Sequence, residues 1–173
     1  MSAPDPAGGP THDSVHLRAP SERVSPKARL MWGLEDLLRG AVLLVVLALA
    51  SGPWNWFELP WWLFAAVLVL VVGYVVLVPL WRFHVHRWEV TESAVYTQTG
   101  WWARERRIAP MSRVQTVDHR EGAIARLFGL ATVRITTASS AGALTIEGLA
   151  QHRALALVED LTRMADTVPG DAT

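Results

Sequence analysis

His84 and His86 stand two apart, the spacing at which two imidazoles on an extended strand share a face and could ligate one metal ion. Beyond the N-terminal region only His119 and His152 could add to them, and the chain has no cysteine. A solvated strand edge accounts for the pair without a metal, and no cofactor is expected. Ser112, Asp118 and His119 are also close in sequence, but strand alternation points the last two in opposite directions, which is not the geometry of a nucleophile with its base. The sequence therefore reads as that of a non-enzymatic protein. Its most suggestive side chains are aromatic and basic: Trp101 and Trp102, then Arg104, Arg106, Arg107 and Arg113. Alternation puts Arg104 and Arg106 on one face and Arg107 with Glu105 on the other. Such a row is either a solvated face, whose ion pairs contribute little, or a surface for a partner or for anionic lipid headgroups. Each Arg near an anionic leaflet contributes about 1 kcal/mol of attraction. At a hairpin tip one Trp ring should enter the core and the other face outward, where a headgroup layer is its nearest apolar refuge.

The elements that must hold these residues are of two kinds. Leu59 to Trp81 is 23 residues without a charge, with Trp near both ends. As a helix it spans roughly 34 Å at 1.5 Å per residue, enough to cross a hydrocarbon core of about 30 Å. A second apolar run, Leu37 to Ala50, lies just upstream and extends to about residues 34–54, with Arg39 placed to snorkel. The pair reads as a transmembrane hairpin over residues 31–81. Arg23, Lys27, Arg29 and Arg39 precede it and Arg82 and Arg87 follow it, whereas the connector carries only Glu58. The positive-inside rule then puts both termini in the cytoplasm of a multi-pass protein of the cell membrane. Trp32 and Trp81 read as inner-interface aromatics, and Pro79 as the end of the second span. Residues 1–30 hold five of the ten prolines and read as a disordered tail without signal-peptide features. Acidic and basic residues balance at 16 each, so no global charge points to nucleic acid.

From residue 82 to 166 the pattern is that of one small domain, followed by a short tail to residue 173. Strands are expected at Phe83 to Val90, Ala94 to Thr99, Ala103 to Ile108, Arg113 to His119, Thr132 to Thr137 and Ala143 to Ile146. In the fifth, Val133, Ile135 and Thr137 alternate with Arg134 and Thr136. A short helical turn at Ala123 to Phe128 directs Ile124, Leu127 and Phe128 inward. Ala154, Leu157, Val158, Leu161 and Met164 recur at helical spacing and make one stripe of a closing helix, about 150–165. Six short antiparallel strands and a plugging helix describe a small β-barrel or roll.

Arg87-Trp-Glu-Val-Thr91, Gly100, Arg106-Arg-Ile-Ala-Pro-Met-Ser-Arg-Val-Gln115, Val117-Asp118, Gly122, Ala125-Arg-Leu-Phe-Gly-Leu-Ala-Thr-Val133 and Thr136-Thr137-Ala138 follow in that order. Their joint order resembles the bacterial pleckstrin-homology (PH-like) membrane protein family, YdbS-like, over about positions 30–165. The resemblance implies two transmembrane helices followed by a cytoplasmic antiparallel PH-like domain with a C-terminal amphipathic helix. It also implies work beside a larger membrane protein with repeated PH-like domains, in envelope maintenance or stress. Trp101-Trp102 departs from the Leu or Phe usual in the family after the hairpin glycine.

Overall fold

The computed structural model describes residues 20–52, 60–100, 104–138 and 142–167. The two apolar runs form long helices, α1 (Ala28–Ser51) and α2 (Trp61–Val85), which pack against each other. They meet closely at Gly40, where a Cβ would lie 2.5 Å from Val71 Cγ1. Among the described residues α2 alone is long and apolar enough to cross a membrane. The apolar part of α1 carries Glu35, Asp36 and Arg39 in its early turns. Pro79 does not end α2. The helix continues to Val85, so Phe83 and His84 are helical, and the strand expected from Phe83 begins at Arg87 instead. A proline withdraws one backbone donor, a loss that a helix tolerates where neighbouring groups pack around it, and Pro79 is buried.

The remaining elements are β1 (Glu22–Arg23), β2 (Arg87–Val90), β3 (Ala94–Thr99), β4 (Glu105–Pro110), β5 (Val114–Arg120), α3 (Ala123–Leu127), β6 (Leu130–Thr137), β7 (Leu144–Ala150) and α4 (Gln151–Thr167). They build two antiparallel sheets, ordered β1-β2-β3-β4 and β5-β6-β7. The β2–β3 hairpin pairs Val90 with Val95 around a turn in which Thr91 Oγ1 accepts from Ala94 N at 3.1 Å. A 3-10 turn, Met111–Arg113, carries the chain into the second sheet. Alternation along β6 buries Val133, Ile135 and Thr137 and leaves Arg134 outside, as its sequence pattern requires. The stripe of α4 then seats Ala154, Leu157 and Leu161 against β5, β6 and β7. In α3 it is Ala125 that is buried. Ile124 and Phe128 pack at the core's edge, whereas Leu127, expected inward, is 76% exposed.

The stretch expected to be tail is partly domain. Residues 20–30 lie within the described structure: β1 pairs with β2 through Glu22↔Trp88 and Arg23↔Arg87, and Val24 and Ala28 enter the core. Met31 and Trp32 follow them, so Trp32 is a core residue rather than an interface aromatic. The core thus includes the first turns of α1, and a boundary at residue 82 cuts through it. Gly148 permits this docking. It sits in β7 at φ +72°, Ser25 N donates to its carbonyl at 2.9 Å, and a Cβ there would lie 2.6 Å from Ala28 Cβ. Left-handed backbone and missing space together demand glycine.

Gly148→Ala should lower the unfolding free energy of the detergent-solubilised full chain by about 2–4 kcal/mol, as strain plus overpacking predict. Gly33→Ala, where nothing lies within 4 Å of the added Cβ, is the control and should be neutral or stabilising. Equal midpoints for wild type and Gly148→Ala in denaturant titrations would show that helix and sheet do not meet at this point.

Candidate functional site

The last turn of α2 delivers Arg82 to the underside of the barrel. Its guanidinium lies over the Trp32 ring, 4.4 Å from the centroid, and its Nη2 donates to Glu147 Oε2 of β7 at 2.6 Å. His86, the residue between α2 and β2, is buried beside the same indole, ring centroids 5.4 Å apart and planes tilted by 56°. Neither of its ring nitrogens has a hydrogen-bond partner among the described residues. Burial, reinforced by the Arg82 charge and opposed by Glu147, holds the imidazole neutral and lowers its pKa from 6.5 to about 4. Gln98 joins this cluster to β4: its Nε2 donates to the Val85 carbonyl at 3.1 Å, and its Oε1 accepts from Arg106 Nε at 3.0 Å.

Between the base of the hairpin and the β3, β4 and β7 strands lies a cavity of about 400 Å³. Asp36, Arg39, Arg82, Glu105, Arg107 and Glu147 supply its charge. Each arginine faces a carboxylate: Arg39 to Asp36 at 2.9 Å, Arg82 to Glu147 at 2.6 Å and Arg107 to Glu105 at 2.6 Å. Asp36 is only 6% exposed, which makes Arg39 its necessary neighbour. The cavity is therefore polar but close to charge-neutral. It suits water or a zwitterionic group better than a lone phosphate.

The arginines singled out by sequence divide. Arg106 and Arg107 lie on β4 and Arg104 just before it, while Arg113 sits in the 3-10 turn past the strand's other end. There the Arg113 carbonyl accepts from Ala138 N at 3.0 Å and the side chain is exposed. Trp101 and Trp102 lie outside the described residues. His84 and His86 do not share a face. His84 is exposed on α2 with Nδ1 2.8 Å from the Leu80 carbonyl, and His86 is buried at the helix end. His119 lies 3.7 Å from Glu121, and Ser112 is at the opposite end of β5. Among the described residues no three His, Asp or Glu side chains gather as a metal site. Sequence reasoning missed the Trp32, Arg82, His86 and Glu147 cluster. Its one outward sign was charge and aromatics at the ends of apolar runs, a sign that interface residues share.

Two antiparallel sheets, a helix packed on the β5–β6–β7 sheet and the first turns of α1 built into the core define a PH-like domain joined to a pair of packed helices. The chain belongs to the bacterial PH domain family, whose model matches residues 37–165. It is 32% identical over 157 residues to the UPF0699 transmembrane protein YdbS of Bacillus subtilis (strain 168), a match covering 88% of this chain and 97% of that one. No solved structure matches it. Neither the family's description nor the relative's name carries a catalytic activity.

The neutral burial of His86 has a pH consequence. The unfolded ring binds a proton below about pH 6.5 and the folded one only below about pH 4, so stability present at neutral pH is lost on acidification across that window. The loss attributable to this ring should reach about 3 kcal/mol by pH 4. His86→Phe keeps an aromatic ring beside Trp32 and should flatten the unfolding midpoint between pH 6.5 and 5. Parallel midpoint curves for both proteins would mean that His86 is not held neutral.

Proposed function

We propose that this chain is a non-enzymatic, membrane-anchored module whose PH-like domain engages a partner membrane protein at the inner face of the bacterial membrane, in envelope maintenance or stress. In this reading α1 and α2 both cross the bilayer and both termini are cytoplasmic. Several observations support the anchoring. Leu37, Val42, Val45 and Val46 of α1 are exposed, as are Val69, Leu70 and Leu77 of α2, a cost in water that a bilayer removes. β1 and the domain lie at the same end of the helix pair, so a hairpin that inserts returns the chain to the side it left. The basic residues flank that end and are absent from residues 51–60.

The observation that carries partner engagement is the fixed pose of β4. The domain is locked to the hairpin at Trp32 and Gly148, and β4 is an end strand of its sheet, with Ile108 38% exposed on it. An edge strand offers main-chain donors and acceptors to a second protein, and its arginines select an acidic one. A larger membrane protein with repeated PH-like domains is the partner the family resemblance suggests. A second reading, anionic lipid contact through Trp101, Trp102, Arg104, Arg106 and Arg107, draws on one specific feature. Gly100 and Glu105, which bracket the β3–β4 connection, line the same cavity as Arg39 and Tyr74 of the helices. The connection therefore begins and ends beside the hairpin's base.

A reporter active only outside the cytoplasm, fused after Thr173, should stay silent. Strong activity would overturn the orientation.

A photo-crosslinking side chain at Ile108 in living cells should yield one discrete adduct with a membrane protein, and Arg106→Glu should abolish it. If Ile108 gives no adduct in a correctly inserted chain, or labels only lipid, partner engagement through β4 is wrong and the lipid reading takes its place.

A further inference from the structure

A second concavity lies on the hairpin itself, away from the charged cavity. It is a groove of about 660 Å³ between α1 and α2, floored by Leu30, Leu34 and Leu37 on one side and Val75, Val76 and Leu80 on the other. Gly33 lines it too, and a Cβ there would meet nothing within 4 Å. Glycine inside a helix costs about 1 kcal/mol against alanine, and here no close approach of the protein's own atoms accounts for it. Its effect is to deepen the groove. The polarity is one-ended. Lys27 and Arg29 line the domain-proximal end, and among the described residues no acidic one lines any part. Arg29 is held in place, Nε donating to the Pro26 carbonyl at 3.3 Å and its guanidinium 4.8 Å from the Phe83 ring centroid. Both cations are exposed, and among the described residues neither forms an ion pair.

The geometry points to a binding site for one anionic phospholipid, with an acyl chain along the groove and its phosphate between Lys27 and Arg29. Length agrees with this occupant. From Lys27 to Leu37 a helix rises about 15 Å, room for much of an extended acyl chain beside it. Charge agrees as well. A cationic rim at the domain-proximal end and an uncharged trough beyond it complement a molecule with an anionic head and apolar tail. A second copy of the chain fits worse. A two-fold contact through this face puts Lys27 and Arg29 of both copies at the same depth, like charge against like. The site rests on the anchoring proposed above but not on the partner at β4.

The test uses full-length protein from membranes, its bound lipid read by native mass spectrometry after exchange against equal phosphatidylglycerol and phosphatidylcholine. Wild type should retain one phospholipid with a roughly thirtyfold preference for phosphatidylglycerol, as two cations near an anionic headgroup predict. Lys27→Ala with Arg29→Ala should erase the preference while an acyl-bearing lipid stays. Gly33→Leu should fill the trough and expel both lipids. Retention that ignores all three substitutions overturns the site. So does a lipid-free wild-type dimer that Gly33→Leu splits, because a second copy then covers the groove. Alkaline carbonate extraction separates the two levels: a chain that washes off overturns the anchoring, whereas a resistant chain without lipid selectivity overturns the groove alone.

Discussion

The insertion of Trp32 beneath the barrel is the interaction on which the remaining architecture depends. An indole removes roughly 150–250 Å² from water on burial, which at about 25 cal/mol/Å² is about 4–6 kcal/mol. Its Nε1 finds no partner among the described residues, a cost of about 1–3 kcal/mol. The Arg82 guanidinium over its face returns about 1 kcal/mol. The balance favours the buried ring, and the ring fixes where α1 can lie. Ala28 must then meet Gly148, and β1 must meet β2, because residues 22 to 32 leave little slack between them.

Charge at this junction serves registry more than stability. Arg82 and Glu147 come from α2 and β7, 65 residues apart, and both are about one-third exposed. Partly solvated pairs of this kind contribute modestly, yet leaving either member alone in the same place is costly. Asp36 and Arg39 follow the same logic on α1. The outcome is a seam whose charges match in one alignment of hairpin and domain. The β4 arginines differ. Arg106 is exposed and tied to Gln98, whereas Arg107 pairs with Glu105 at the rim of the charged cavity.

Elements with a strong local period were legible in the sequence. β3 spans Ala94–Thr99 in both sequence and structure, β6 alternates as its residues do, and α4 follows its stripe of threes and fours. What the period could not carry was decided by distant contacts. Glu22 and Arg23 have no strand signal of their own and are extended because β2 accepts them. Trp32 sits at the end of an apolar run, where a ring looks the same whether it faces lipid or packs beside Gly148, 116 residues further along. Phe83 to Val85 were β-rich enough to read as strand, but helix α2 carries them, with Phe83 packed against the core and Val85 buried. The candidate site was legible in part: the β4 arginines stood out as a run, while the His86 cluster is assembled from α1, the end of α2 and β7.

The pairing of β1 with β2 also governs the order in which the protein can be assembled. Some sixty residues separate Arg23 from Arg87, so the first strand leaves the ribosome long before its neighbour exists. A contact of that separation is entropically slow to close through a free chain. Here the intervening segment is a stiff antiparallel helix pair whose ends are already adjacent, which shortens the effective loop to the two short stretches outside it. The barrel's core is thus completed last, once the hairpin has formed. A chain whose helices failed to pair would leave Val95, Leu149 and their neighbours uncovered, a hydrophobic surface of the sort that proteolytic surveillance recognises. Helix pairing and completion of the core become a single checkpoint.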